Sequence, residues 1–255
     1  MNKLFNRVPE VTATFWIIKI LATTVGETAA DFLSVNLKLG LNVTSYMMSG
    51  ILFLLLLNQF RLKRYVLLSY WIVVVFMSIT GTLITDSLVD NFRINLATTT
   101  IVFSIILLIV FVLWYSNEKT LAMHSINTAK RELFYWAAIL FTFALGTATG
   151  DFLAEALKLG YTQAALIFGA SISAITAAYY YFGMNAVLAF WLAYILTRPL
   201  GASIGDLLSQ PTKNGGFGWG TVGTSILFLS VITSLIIYLS LKQKKPASLP
   251  IDQRK

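Results

Sequence analysis

Apolar runs long enough to cross a bilayer recur along the chain, separated by short polar connections. A span needs ~20 predominantly apolar residues. The pattern predicts eight helical spans at about 12–37, 43–60, 65–87, 95–115, 133–157, 163–182, 185–208 and 219–241. Two connections are longer than the rest: the polar stretch at 117–132 and the glycine-rich Q-P-T-K-N-G-G-F-G-W-G at 210–220. The fold class expected is an all-α integral membrane protein, one membrane domain over 1–255, with 243–255 as a cytoplasmic tail.

Self-comparison shows a repeat. T-T-V-G-E-T-A-A-D-F-L-S-V-N-L-K-L-G (23–40) aligns with F-A-L-G-T-A-T-G-D-F-L-A-E-A-L-K-L-G (143–160), and eight of the fifteen positions from Gly26 to Gly40 are identical. A sparser pattern, W-x9-G-x4-D, occurs four times: Trp16, Gly26, Asp31; Trp71, Gly81, Asp86; Trp136, Gly146, Asp151; and Trp191, Gly201, Asp206. Internal periods of this length indicate a tandem architecture. The units expected are about 12–62, 65–116, 132–183 and 185–242, each of two spans. An advance of two spans makes the repeats parallel, so all four motif helices run the same way and their aspartates share a depth.

These residues, with G-E-T-A-A-D-F-L (26–33) and T-R-P-L-G-A-S-I-G-D (197–206), resemble a bacterial family of multi-pass membrane proteins built from four tandem two-span repeats, each with a tryptophan. The resemblance covers about residues 12 to 240 and implies the repeat and the fold. That family is of unknown function, so no catalytic or binding residue is carried over from it.

Residues four apart share a helix face. Stepping back from each aspartate gives Lys19, Thr23, Glu27, Asp31; Val74, Ser78, Thr82, Asp86; Ile139, Phe143, Thr147, Asp151; and Tyr194, Arg198, Ala202, Asp206. Charge inside a span rarely faces lipid, because exposure at the helix centre costs at least ~2.5–3.5 kcal/mol. The four stripes should therefore converge, with the even-numbered spans outside them. Glu27 and Arg198 differ in depth by one turn, ~6 Å, and a tilted pair would meet across the bundle. Lys19 lies near the opposite end and is expected to snorkel out. The glycines are expected at close helix contacts, and the tryptophans as interface anchors.

Composition narrows the picture further. Charged residues make up 12% of the chain and mean hydropathy is +0.75, where a soluble domain carries ~25% charged residues. There is no cysteine, which excludes disulfides, thiolate metal sites and thiol catalysis. No cleaved signal peptide is expected from M-N-K-L-F-N-R-V-P-E. The net charge of +8 follows from topology. The side holding both termini carries Lys3, Arg7, Arg61, Lys63, Arg64, Lys119, Lys130, Arg131, Lys242, Lys244, Lys245, Arg254 and Lys255, against Lys38, Arg93, Lys158 and Lys213 on the other. The positive-inside rule then places both termini in the cytoplasm, the resemblance implies a bacterial inner membrane, and no nucleic-acid partner is expected.

The chemistry expected is transport of a small ion or solute. Asp31, Asp86, Asp151, Asp206 and Glu27 would supply carboxylates, Thr82 and Thr147 neutral oxygens, with Arg198 and Lys19 balancing charge. Hard cations take oxygen ligands, so a divalent cation as substrate or proton coupling fits, and no cofactor is required. Partners are the bilayer and the transported species; the sequence leaves oligomeric state open. Two other classes stand beside this one: a scaffold or sensor whose polar core only specifies packing, and an intramembrane enzyme using two acids. No metalloprotease, nucleophile-elbow or dinucleotide motif is present.

Overall fold

A computed structural model describes residues 6–244. Lys3, Lys245, Arg254 and Lys255 lie outside the described residues, as does most of the expected tail. Eight long helices alternate in direction: α1 Ala13–Asp31, α2 Leu41–Arg61, α3 Leu67–Asp86, α4 Leu96–Glu118, α5 Ala129–Asp151, α6 Tyr161–Tyr181, α7 Ala186–Ser209 and α8 Gly220–Lys244. No strand occurs among the described residues. Seven of the helices are long and apolar enough to cross a membrane. The exception is α1, whose apolar content is diluted by Lys19, Glu27 and the threonines at 14, 23, 24 and 28.

Local chemistry sets the helix starts. Thr12, Asn95, Thr128 and Asn185 stand just before α1, α4, α5 and α7, and each side chain accepts an N–H of the first turn. This satisfies one of the donors that a helix start leaves unpaired. Past the aspartates, α1, α3 and α5 each loosen into one π-helical turn, at Phe32–Asn36, Ser87–Asn91 and Phe152–Ala156. The chain then reverses through Gly40 (φ +76°) and Gly160 (φ +79°), a conformation glycine adopts without steric cost. The helix α7 has no such turn and contains Pro199.

The odd-numbered helices form a closed ring in the order α1, α3, α5, α7. Each even-numbered helix packs outside the odd helix that follows it, α2 on α3, α4 on α5 and α6 on α7, and α8 closes the cycle on α1. The repeated glycines make the ring possible. A Cβ on Gly26 would strike Ser78, one on Gly81 Phe143, one on Gly146 Arg198, and one on Gly201 Thr23. Each glycine thus admits the residue eight before the aspartate of the next motif helix. The same contact made four times around the ring is pseudo-fourfold symmetry, and small residues at such crossings let backbones approach.

Candidate functional site

The four stripes converge on the ring axis. Val74, Ser78, Thr82, Ile139, Phe143, Thr147, Ala202, Thr23, Tyr194, Arg198 and Lys19 are fully buried. Successive layers are four residues apart, about 6 Å along the axis. At the end remote from the N-terminal segment the layers open into a cavity of ≈ 250 Å³. Asp31, Asp86, Asp151, Asp206 and Glu27 all line it. Glu27 and Asp206 are buried, whereas Asp31, Asp86 and Asp151 are half-buried at its wall.

The layer beyond the aspartates completes the cup. Its lining includes Asp90, Glu155, Gln210 and Ser34, which the sequence reading did not single out. Asp90, Glu155 and Gln210 stand four residues after Asp86, Asp151 and Asp206, so one more helical step along the same stripe points to them. Gln210 donates to Asp31 Oδ2 at 3.4 Å. Seven carboxylates therefore face one space. Among the described residues no three of them converge as a ligand set for a bare metal ion.

The basic residues assigned to this side by charge also fall on a repeat. Lys38, Arg93, Lys158 and Lys213 each follow their aspartate by seven residues and are exposed. The first three are left-handed, with φ of 55°, 57° and 57°, a conformation uncommon outside glycine.

Arg198 forms the floor. Its Nη2 donates to Glu27 Oε2 at 2.8 Å, to Thr147 Oγ1 at 2.7 Å and to Thr82 Oγ1. Its Nη1 donates to the Thr23 carbonyl at 3.2 Å. One guanidinium on α7 therefore binds α1, α3 and α5. Thr82 and Thr147 lie beneath the cavity wall and bond to this guanidinium.

Below Arg198, Lys19 corrects the expectation that it snorkels out. Its side chain has no exposed surface. Nζ donates to Thr197 Oγ1 at 3.0 Å and sits 4.1 Å from the Tyr194 ring centre and 4.7 Å from that of Phe143. The stripe that turns Glu27 and Asp31 inward turns Lys19 inward as well.

The tryptophans are a second correction. Trp71, Trp136 and Trp191 are buried and Trp16 is half-buried; they pack between helices. Each follows an aromatic residue, Phe15, Tyr70, Tyr135 or Phe190. Tyr70 and Tyr135 share a hydroxyl–hydroxyl hydrogen bond of 2.5 Å. Trp71 packs against Phe15 and Tyr70, and Trp191 against Tyr135, Phe190 and Tyr194. An aromatic layer thus closes the axis at the N-terminal end. Rings supply large apolar area and edge-to-face contacts, which makes them better fillers of a four-helix crossing than headgroup anchors.

Beneath that layer Glu132 is fully buried. It accepts Arg7 Nη1 at 2.6 Å, and both Gln59 Nε2 and Trp136 Nε1 at 3.3 Å. Arg7 belongs to a short segment laid across the bundle end. Its N–H reaches the Ile126 carbonyl at 2.9 Å, and the Asn6 carbonyl accepts from Tyr65 N at 3.0 Å. Neither residue stands in the repeated pattern, which is why the repeat did not reveal them.

Comparison with curated proteins and with solved structures gives no match. The family described as Repeat of Unknown Function (DUF347) matches four times, at residues 14–65, 69–120, 134–185 and 189–245. These segments are the four helix pairs, a few residues later than the units drawn from the sequence. The ring of four glycine contacts is the three-dimensional form of that repeat, and the chain belongs to the DUF347 repeat family.

Proposed function

We propose that this is a bacterial inner-membrane protein in which all eight helices span the bilayer, and that it is a permease for small cations. The observation that carries the reading is the cup. Seven carboxylates, Glu27, Asp31, Asp86, Asp90, Asp151, Glu155 and Asp206, line one cavity of ≈ 250 Å³, over a floor with a single guanidinium. Intramembrane acids converging on an axis mark ion pathways by default. The cavity has room for several waters, which suits a hydrated divalent cation held through its water shell. The basic-residue asymmetry between the two ends supports cytoplasmic termini, and the cup then opens outward.

The test is uptake of radiolabelled Mn²⁺ and Ca²⁺ into proteoliposomes, wild type against Asp31→Asn and Asp151→Asn. Flux that falls in both variants supports the reading. No flux of either ion, or flux indifferent to both substitutions, removes it.

A scaffold reading has one specific observation in its favour: Arg198 ties all four central helices together by hydrogen bonds. On that reading, neutralising the four aspartates leaves the protein's cellular role intact.

A further inference from the structure

The even-numbered helices plug seams of the ring with a side chain at one repeated place. Gln59, Trp114 and Tyr179 each stand eighteen residues after the first residue of α2, α4 and α6. Gln59 is fully buried. Ser69 of α3 donates to its Oε1 at 2.7 Å, and its Nε2 donates to Glu132 of α5 at 3.3 Å. Trp114 is fully buried too. It stacks on Phe134 of α5 at 6.4 Å and meets Trp191 of α7 at 5.6 Å. Each wedge leans on the odd helix beneath it and touches the next one round the ring. Tyr179 departs from this and is 41% exposed. Ser69 and Phe134 stand two residues before their motif tryptophans, and the residue at that place in α7 is Ala189. A methyl group offers Tyr179 neither a hydroxyl nor a ring, so the third seam stays open.

The opening is a cleft of ≈ 630 Å³, within the size range of sites that enclose a small ligand between helices. Trp16 and Ile20 of α1, Ile172 and Ile175 of α6, and Ala189 and Ala193 of α7 line its length, and Thr197 lies at its inner end. From Ala186 to Thr197 the α7 wall is about 16 Å long. That is half of a ~30 Å hydrocarbon core, the depth of one leaflet. The walls are mostly apolar, and the groove runs along the helices rather than across them.

The mouth differs in chemistry from the walls. The starts of α1 and α7 both border it, at Thr12 and Ala13 and at Ala186 and Val187, together with the exposed His124. A helix start carries partial positive charge and N–H groups that suit a phosphate. Two such starts and an imidazole, at the end of an apolar groove one leaflet deep, complement a phosphodiester with an acyl chain behind it.

We propose that this cleft is a phospholipid site. One acyl chain lies along α7 in the seam that Tyr179 leaves open, and the headgroup phosphate rests between the starts of α1 and α7. The lipid takes the place that Gln59 and Trp114 fill in their own seams, and it bridges α1 and α6 across α7. The proposal rests on the reading that these helices span the bilayer, and not on what the cup carries.

The test uses the full chain in phosphatidylcholine vesicles with a small share of phosphatidylglycerol that carries a diazirine midway along one acyl chain. After illumination, adducts are mapped by mass spectrometry. They are expected on Ile20, Ile175 and Ala193 at least fivefold more often than on Ile105 and Leu108, exposed positions of α4. Ala189→Phe supplies the ring that Phe134 offers Trp114 and is expected to cut the cleft adducts at least fivefold. Ala170→Phe, on α6 outside the cleft, is expected to leave them unchanged. A diacylglycerol with the same diazirine and no phosphate is expected to label the cleft at least fivefold less. Wild-type adducts no more frequent in the cleft than on α4 overturn the proposal, however Ala189→Phe behaves. Equal labelling by the diacylglycerol overturns the phosphate contact and the phospholipid assignment with it. Photoreactive benzoylphenylalanine in place of Tyr179 that yields covalent dimers instead of lipid adducts seats a second copy in the seam and overturns the proposal. A protein that does not float with the vesicles overturns the membrane reading as well.

Discussion

Glu27 and Arg198 meet at 2.8 Å on the bundle axis, with their side chains buried. Glu27 lies on α1 and Arg198 on α7, neighbours in the ring. Removing one partner of a buried pair leaves an uncompensated charge and costs about 3–5 kcal/mol. Arg198→Met should therefore lower the thermal midpoint of the purified protein sharply, and Glu27→Gln less, since its amide still offers an acceptor. The swapped pair, Glu27→Arg with Arg198→Glu, should recover part of the loss. Recovery is incomplete because the swap abandons the bonds to Thr82 and Thr147. A double variant no more stable than the worse single one would mean that the pair is not energetically coupled.

The glycine ring gives a graded series. An alanine at Gly81 would meet the backbone nitrogen of Ala144 at 3.0 Å as well as the Phe143 side chain, whereas at Gly50 it would meet nothing within 4 Å. Backbone cannot swing aside as a side chain can, and overpacking costs about 1–3 kcal/mol. Gly81→Ala should lower the thermal midpoint measurably, and Gly50→Ala should leave it unchanged or raise it. Equal effects at the two positions would contradict the close contact of α3 with α5.

Glu132 anchors the segment that crosses the N-terminal end, through Arg7 at 2.6 Å. Val8, next in sequence, is buried. The chain has no cysteine, so Val8→Cys introduces a single reporter. In an otherwise native background it should react slowly with a membrane-impermeant maleimide. Adding Glu132→Ala removes the acceptor of Arg7 and should speed labelling at least tenfold, the effect of about 1.4 kcal/mol of lost closure. Unchanged labelling would show that the backbone bonds to Ile126 and Tyr65 hold the segment without the ion pair.

The repeat makes the ring, the inward stripes and the meeting of Glu27 with Arg198 legible in the sequence, because a four-residue step fixes which groups share a face. It did not reveal how deep each layer lies or what closes it. Lys19 and the tryptophans were misplaced for one reason. Lysine and tryptophan both suit a membrane interface when taken singly, and only packing between helices decides that these point to the axis. Asp90 and Glu155 were one step further along a stripe already drawn. Arg7 and Glu132 are long-range partners, 125 residues apart, and no local pattern announces such a pair.

The burial of the tryptophans has a direct optical consequence. Trp71 and Trp136 are each 2% exposed, whereas Trp219, in the loop before α8, is 55% exposed. Trp136 also has a hydrogen-bond acceptor, Glu132 Oε1, four residues earlier on its own helix. Interface anchors would meet headgroups and water, and a collisional quencher in either phase would reach them. Buried indoles between helices are shielded from both. With the other tryptophans replaced by phenylalanine, a protein retaining only Trp136 should emit at shorter wavelength than one retaining only Trp219. Its quenching constant for acrylamide should be severalfold smaller, and headgroup-attached spin labels should barely dim it. Strong quenching of Trp136 by those labels would return the residue to the membrane boundary and open the aromatic layer that closes the axis.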